Sequence, residues 1–244
     1  MRTAIRGLGE GFITLGVVIL LFVVYQLYWT GVLARQARAD ELDELHKKMK
    51  QTLAAPAAPA AVGTAAPAPP APGPPPAYED GKSFAVMYIP RFGSGWKWTV
   101  LANTDTDTLK KGLGWYTGSA KAGQDGNFAV AGHRKTYGDP MIDFPDLRVG
   151  DKVIVNDTVN WYVYTLDKPV VNGTNNKAVY KTLPDDTGVV APVPVKGFDK
   201  PGKYITLTTC EPEYGSSHRL IVWGHLESVQ PLSAGEPAAL KGAS

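Results

Sequence analysis

Apolar and polar positions divide the chain into stretches of different period. From Phe12 to Trp29, FITLGVVILLFVVYQLYW, 18 residues run without a charge and end in an aromatic pair, Tyr28 and Trp29. That length suits a helix crossing a bilayer, with the aromatic pair at the interface. Residues 12–30 are therefore expected to form a transmembrane helix behind a short tail, residues 1–11. A cleaved signal peptide would have a shorter apolar core, and no small-residue cleavage site follows directly. Arg2 and Arg6 flank one side and Arg35 and Arg38 the other, so charge alone does not orient the span.

Residues 31–53 continue with helical spacing: Leu42, Leu45 and Met49 recur on one face, with acids first and lysines last. A solvated juxtamembrane helix is the expectation. Between Ala54 and Ala77 the pattern disappears into alanine with nine prolines and two glycines, a composition that buries no core. Residues 54–81 are expected to be a disordered Ala/Pro-rich linker, its Ala54–Ala77 stretch reaching ~75 Å at polyproline rise.

From residue 82 to 232 the pattern turns to short β-branched and aromatic runs. Strands are predicted at Phe84–Ile89, Trp98–Leu101, Phe128–Ala131, Val153–Val155, Trp161–Leu166, Tyr204–Thr209 and Leu220–Trp223, separated by Gly, Pro, Asn and Asp clusters. Thr106–Lys111 and Met141–Leu147 read as short helical turns. Many short strands with turn signals predict a mostly β domain, a closed barrel or a sandwich. The tryptophans at 96, 98, 115, 161 and 223 are scattered over several strands and read as core and rim packing. Residues 233–244 read as a flexible tail.

Charge excludes one class of partner. Twenty-five basic against 23 acidic residues, without a basic block in the folded part, argue against nucleic-acid binding. The one cysteine, Cys210, excludes an internal disulfide and the paired-cysteine zinc spacings, and no calcium-loop spacing occurs, so neither metal nor cofactor is expected.

Cys210 ends the strand YITLTT ahead of a polar loop, a setting that presents a thiol at a surface. Arg219 enters the returning strand, with a charge that does not titrate and up to five donors for a developing oxyanion. His133 follows an apolar strand in FAVAGHRKTYG and suits an acid and base. His218 should face away from Arg219 on an alternating strand, and His225 lies six residues beyond Arg219, ~20 Å along the strand.

TLTTC at 206–210, the arginine nine residues on in SSHRLIV, and AGHR at 131–134 together resemble the sortases, membrane-anchored cysteine transpeptidases of Gram-positive bacteria. The likeness covers about 150 residues from YIPRFG at Tyr88. GWYTGSA before GNFAVAGHR, the TYG after Arg134 and Pro212 two residues after the cysteine are most similar to class E sortases of actinobacteria. The resemblance implies a closed eight-stranded sortase-type β-barrel. It also implies Cys210 as nucleophile on the threonine carbonyl of a sorting signal, His133 as acid and base, and Arg219 as the orienting and oxyanion-stabilising group. Thr209 is implied as a residue shaping the substrate site. Tyr116 matches the tyrosine associated with LAxTG over LPxTG preference, where alanine offers an N–H that proline lacks.

The implied partners are secreted proteins bearing sorting signals, a peptidoglycan precursor amine, and the membrane through the N-terminal helix. The implied location is the plasma membrane, single-pass, with the N-terminus cytoplasmic and the catalytic domain facing the cell wall. Thr117 stands where the family often has proline, and the loop around Pro140 also departs from it, which touches subclass and substrate preference. A tethered binding module without catalysis, and other cysteine peptidases or transpeptidases, are the alternatives. An L,D-transpeptidase would carry histidine and glycine just before its cysteine, and TLTTC has neither.

Overall fold

A computed structural model describes residues 2–54, 72–170 and 178–241. In chain order the elements are α1 (Arg2–Ala54), β1 (Ser83–Tyr88), β2 (Lys97–Ala102), α2 (Thr106–Leu109), β3 (Leu113–Trp115), β4 (Gly126–Ala131), β5 (Lys152–Asn156), β6 (Asn160–Leu166), β7 (Tyr180–Thr182), β8 (Lys203–Glu211), β9 (His218–Pro231) and α3 (Ala238–Lys241). Every strand expected from the sequence forms. The two that the pattern missed, β3 and β7, have three residues each, too short for a period to register.

The strands hydrogen-bond in the order β6-β5-β1-β2-β3-β4-β8-β9, and β6 pairs with β9 to close the ring. Eight strands thus make a closed barrel, and β7 adds to the free side of β9. Closure removes the unpaired edges that an open sheet would expose. Alternation sends Phe128 and Val130 of β4, Ile205 and Leu207 of β8, and Leu220 and Val222 of β9 into one buried interior cluster. The opposite parity of the same three strands forms an outer face carrying Asn127, Ala129, Ala131, Thr206, Thr208, Cys210, Arg219, Ile221 and Trp223.

The expected span at residues 12–30 falls on α1, whose side chains at 26–31 lie outside the described residues. Among the described residues no helix is long and apolar enough to cross a membrane. The juxtamembrane stretch differs from a solvated helix: Leu45 is fully buried and Met49 packs on the outer cluster of Ile154, Trp161, Val163 and Leu232. The spacing of Leu42, Leu45 and Met49 is that of a docked helix face. The wall it covers centres on β1, four strands round a ring of eight from β8, and so opposite Cys210.

Two segments expected to be mobile are held as well. Residues 72–81, the end of the expected linker, lie on the barrel, with Tyr78 stacked on Phe84 at 3.5 Å and Gly81 N donating to Ala102 O at 2.8 Å. Residues 55–71 lie outside the described part. In the C-terminal tail, Ala239 and Leu240 of α3 pack on the Trp161 and Leu232 cluster. Composition missed both, because a proline or alanine segment buries little by itself yet can complete a surface made elsewhere. Trp98, Trp161 and Trp223 are buried, as expected of packing residues.

Candidate active site

The three catalytic candidates come from the ends of adjacent strands. β4 runs parallel to β8, and its last paired residue, Ala131, sits beside Thr208. Gly132 N donates to Thr208 O at 3.1 Å, and Thr209 Oγ1 donates to Gly132 O at 2.8 Å, which carries the register one residue further. His133 therefore falls abreast of Cys210. On the other side of β8, Cys210 pairs with Arg219, and Arg219 with Thr182 of β7. With ~4.8 Å between neighbouring strands, histidine, cysteine and arginine form one transverse row. All three have the outer-face parity.

The row lies at the mouth of a groove. Behind it the same face continues through Thr208 and Thr206, both buried, the first under the Tyr116 hydroxyl and the second under the 3-10 turn Thr187–Val190. There Trp223 Nε1 donates to Val189 O at 2.9 Å, and Thr206 Oγ1 reaches Asn127 Oδ1 at 2.9 Å and Val189 O at 3.3 Å. Tyr116 forms one wall, its hydroxyl 2.8 Å from Thr208 Oγ1. Beyond Tyr116 opens a cleft of about 440 Å³ lined by Gly118, Asp125, Asn127, Val190 and Pro192.

His133 begins a loop hung from the barrel at two points: Met141 N donates to His133 O at 3.1 Å and Trp96 Nε1 donates to Pro140 O at 2.9 Å. The imidazole lies 5.1 Å from the Tyr137 ring, and its Nε2 is buried with no hydrogen-bond partner. An unpartnered buried nitrogen is costly in a resting protein, and it suits a group whose partner arrives with the substrate. Burial, assisted by the Lys110 charge, holds the His133 pKa below the ordinary imidazole value. The imidazolium is consequently the minor form at neutral pH. Replacing Lys110 by methionine removes the opposing charge, so the His133 midpoint in an NMR titration is expected to move upward.

Arg219 is partly exposed, and its Nη1 donates to Ser216 O at 2.9 Å and His218 O at 3.0 Å. These bonds fix the guanidinium while leaving Nε and Nη2 for a ligand. His218 bonds Ser217, and His225 pairs with Asp167 at 2.8 Å, so neither histidine joins the row.

Thr209 differs from its expected role. It is 2% exposed and has the interior parity, so its hydroxyl ties β8 to Gly132 and thereby sets His133. Thr208, two residues before Cys210, shares its face of the strand and is buried beneath the Tyr116 hydroxyl.

The sequence also left Arg134 without a role. Arg134, 7% exposed, bonds Glu211 and lies 3.9 Å from Glu213, joining the residue after His133 to the residue after Cys210. Lys181 stands 4.0 Å from the same Glu211 carboxylate. The pair fastens the two catalytic strand ends and offsets an acid next to the thiol. Arg134→Met is expected to cost about 2 kcal/mol in urea unfolding, and adding Glu211→Gln to recover part of it, because Glu211 is left with only the more distant Lys181 as a partner.

A cysteine, a histidine and an arginine in register across three strand ends are the groups that acyl transfer through a cysteine would require. The chain belongs to the sortase family: a sequence model of the sortase domain matches residues 87–227. It is 35% identical to sortase SrtE1 of Streptomyces coelicolor over 97% of this chain and 61% of that protein, so it spans about three fifths of that relative's length. It is 30% identical to sortase SrtE2 of the same organism over 91% of this chain and 82% of that protein. Among solved structures, sortase E of Streptomyces avermitilis matches with 54% identity and a TM-score of 0.60, covering 67% of this chain and 99% of that one. Sortase E1 of Streptomyces coelicolor with a tripeptide in its active site matches with 32% identity and a TM-score of 0.59, covering 67% and 99%.

Proposed function

We propose that this chain is a membrane-anchored cysteine transpeptidase that cleaves an LAxTG- or LPxTG-type sorting signal between threonine and glycine and transfers the threonine carbonyl to an amine of a peptidoglycan precursor. The row of His133, Cys210 and Arg219 at the groove mouth carries this reading. The Cys210 thiolate attacks the threonine carbonyl, and Arg219 donates to the oxyanion of the tetrahedral intermediate. As that intermediate collapses, His133 gives its proton to the departing glycine amine, leaving a thioester on Cys210. The acceptor amine then attacks the thioester, His133 takes its proton, and Cys210 leaves as the thiolate. Tyr116, standing over Thr208 beside the thiol, is the group placed to read the motif residue that is alanine or proline.

Anchoring at residues 12–30, N-terminus cytoplasmic and barrel facing the cell wall, rests on the uncharged run and on the outward exposure of its apolar side chains, including Phe12 at 67% and Leu20 at 63%. The docked face of α1 around Leu45 would then hold the barrel near the bilayer. On this reading the linker joins two docked segments and does not set that distance.

The test is incubation with LAxTG and LPxTG peptides and a glycine-type amine, followed by mass spectrometry. Cleavage after threonine with an acyl adduct on Cys210 is expected. A folded protein that gives neither would point to a non-catalytic binding module.

A further inference from the structure

The segment before the barrel, expected to be linker, grips both ends of the loop that carries Tyr116. Tyr78 stacks on Phe84 of β1 and meets the Trp115 ring edge-on at 5.0 Å, just before the loop begins. At the loop's other end Ala122 N donates to the Tyr78 hydroxyl at 3.3 Å. Lys121 lies over the Tyr78 ring at 4.9 Å and donates to Pro76 O at 2.9 Å. The loop is also closed on itself, with Trp115 Nε1 donating to Ala120 O at 3.2 Å and Ser119 N to Tyr116 O at 3.0 Å.

The far end of the segment is pinned by a paired amide contact. Gly73 N donates to Asn160 Oδ1 at 3.0 Å, and Asn160 Nδ2 returns a bond to Gly73 O at 2.8 Å. Asn160 is 1% exposed and is itself held by Asp157 Oδ1, which accepts from its N–H at 2.7 Å. A Cβ at position 73 would come within 2.8 Å of Val159 Cγ1, so the close approach requires glycine. Six residues that composition reads as linker, 73–78, thus have a fixed path from the β5–β6 turn to the loop between β3 and β4.

We infer that residues 73–78 form a clasp that positions the Tyr116 loop, with Tyr78 as a positioning residue for recognition of the sorting signal. Tyr116 touches Thr208 by a single hydroxyl contact, and Trp115, the residue before it, leans on Tyr78. Removing the Tyr78 ring takes away one contact at each end of the loop, leaves its bonds to β4 (Tyr116 N to Ala129 O and Ala120 N to Asn127 O, both 3.0 Å), and leaves the strands bearing His133, Cys210 and Arg219 in register. The consequence falls on substrate binding and motif choice more than on the chemical step.

This inference rests on the transpeptidase reading above, and its test has an arm that does not. In the full chain, Tyr78→Ala is expected to raise KM about fivefold, with kcat changed less than about twofold, and to narrow the difference in kcat/KM between alanine- and proline-containing motifs. Tyr78→Phe, which keeps the stacking and the Trp115 contact but loses the Ala122 bond, is expected to recover most of the parent KM and preference. In hydrogen exchange, the amides of Ser119 and Ala120 should exchange at least about tenfold faster in Tyr78→Ala, while those of β5 and β6 stay as in the parent. Unchanged KM, preference and exchange in a folded Tyr78→Ala protein would overturn the clasp, as would uniform loss of protection through the barrel. If the parent protein cleaves no sorting peptide, the transpeptidase reading fails, and faster exchange confined to the loop would still establish the clasp.

Discussion

Cys210→Ala is expected to abolish thioester formation and lower kcat/KM for a sorting peptide by at least about a thousandfold, and His133→Gln by a similar factor. The double variant should lose little more than either alone. On the proposed mechanism the two groups act on one carbonyl and one proton: without the thiol no acyl-enzyme would form, and without the imidazole the glycine amine would have to depart unprotonated. A multiplicative loss would mean that the groups work independently, contrary to their shared row across β4 and β8. Stopped-flow cleavage of a quenched fluorescent peptide and intact-protein mass spectrometry measure both quantities. His133→Gln keeps a polar side chain of similar length, which limits the disturbance to its loop.

The low His133 pKa adds a pH signature to the same experiment. Burial favours the neutral ring, so the proton-donating form grows as pH falls through and below the ordinary imidazole range near 6.5. Because the proposed reaction needs both a proton on His133 and a nucleophilic sulfur, a bell-shaped kcat/KM profile is expected. The sign for stability is opposite to that of a salt-bridged histidine. Because the folded-state value is lowered, the contribution of His133 is complete above about 6.5 and is lost as pH falls toward the lowered value. A rate independent of pH from 6 to 10, with chemistry limiting, would contradict the acid and base role.

Arg219→Ala is expected to reduce kcat about a hundredfold, with KM rising severalfold at most. The reason is geometric: Nη1 is committed to the carbonyls of Ser216 and His218, which aims the remaining N–H groups without using them. A group held in advance stabilises developing charge without reorganising when the oxyanion forms. Arg219→Lys should recover only a small part of the loss, because an ammonium cannot both bond two loop carbonyls in that plane and present a fork to the substrate. Equal kcat in the parent and the alanine variant, with the loss confined to KM, would make Arg219 a binding residue only.

Much of the site was legible because its chemistry sits on regular strands. The β-branched run ending in Cys210, the arginine entering the returning strand and the histidine after an apolar strand placed three residue types at three strand ends. Their order matched one family. The difference between Thr208 and Thr209 was less visible: alternation says that neighbours face opposite ways, while only closure of the barrel says which way is inside. Leu42, Leu45 and Met49 gave the right helical face, but spacing does not say whether that face meets another protein, lipid or this barrel.

By itself the sequence determined the strands long enough to show a period, the candidate nucleophile and its partners, and the uncharged run before the linker. These are local properties, set by residues within one element. The tertiary structure decided what depends on residues far apart: the β6–β9 pairing that closes the ring, the docking of α1 opposite Cys210, the Arg134–Glu211 bond, and the Asn160 and Tyr78 contacts that turn a proline-rich segment into part of the domain. Each joins groups whose separation along the chain carries no period, and each is stabilised by burial or hydrogen bonding that exists only once the barrel has closed.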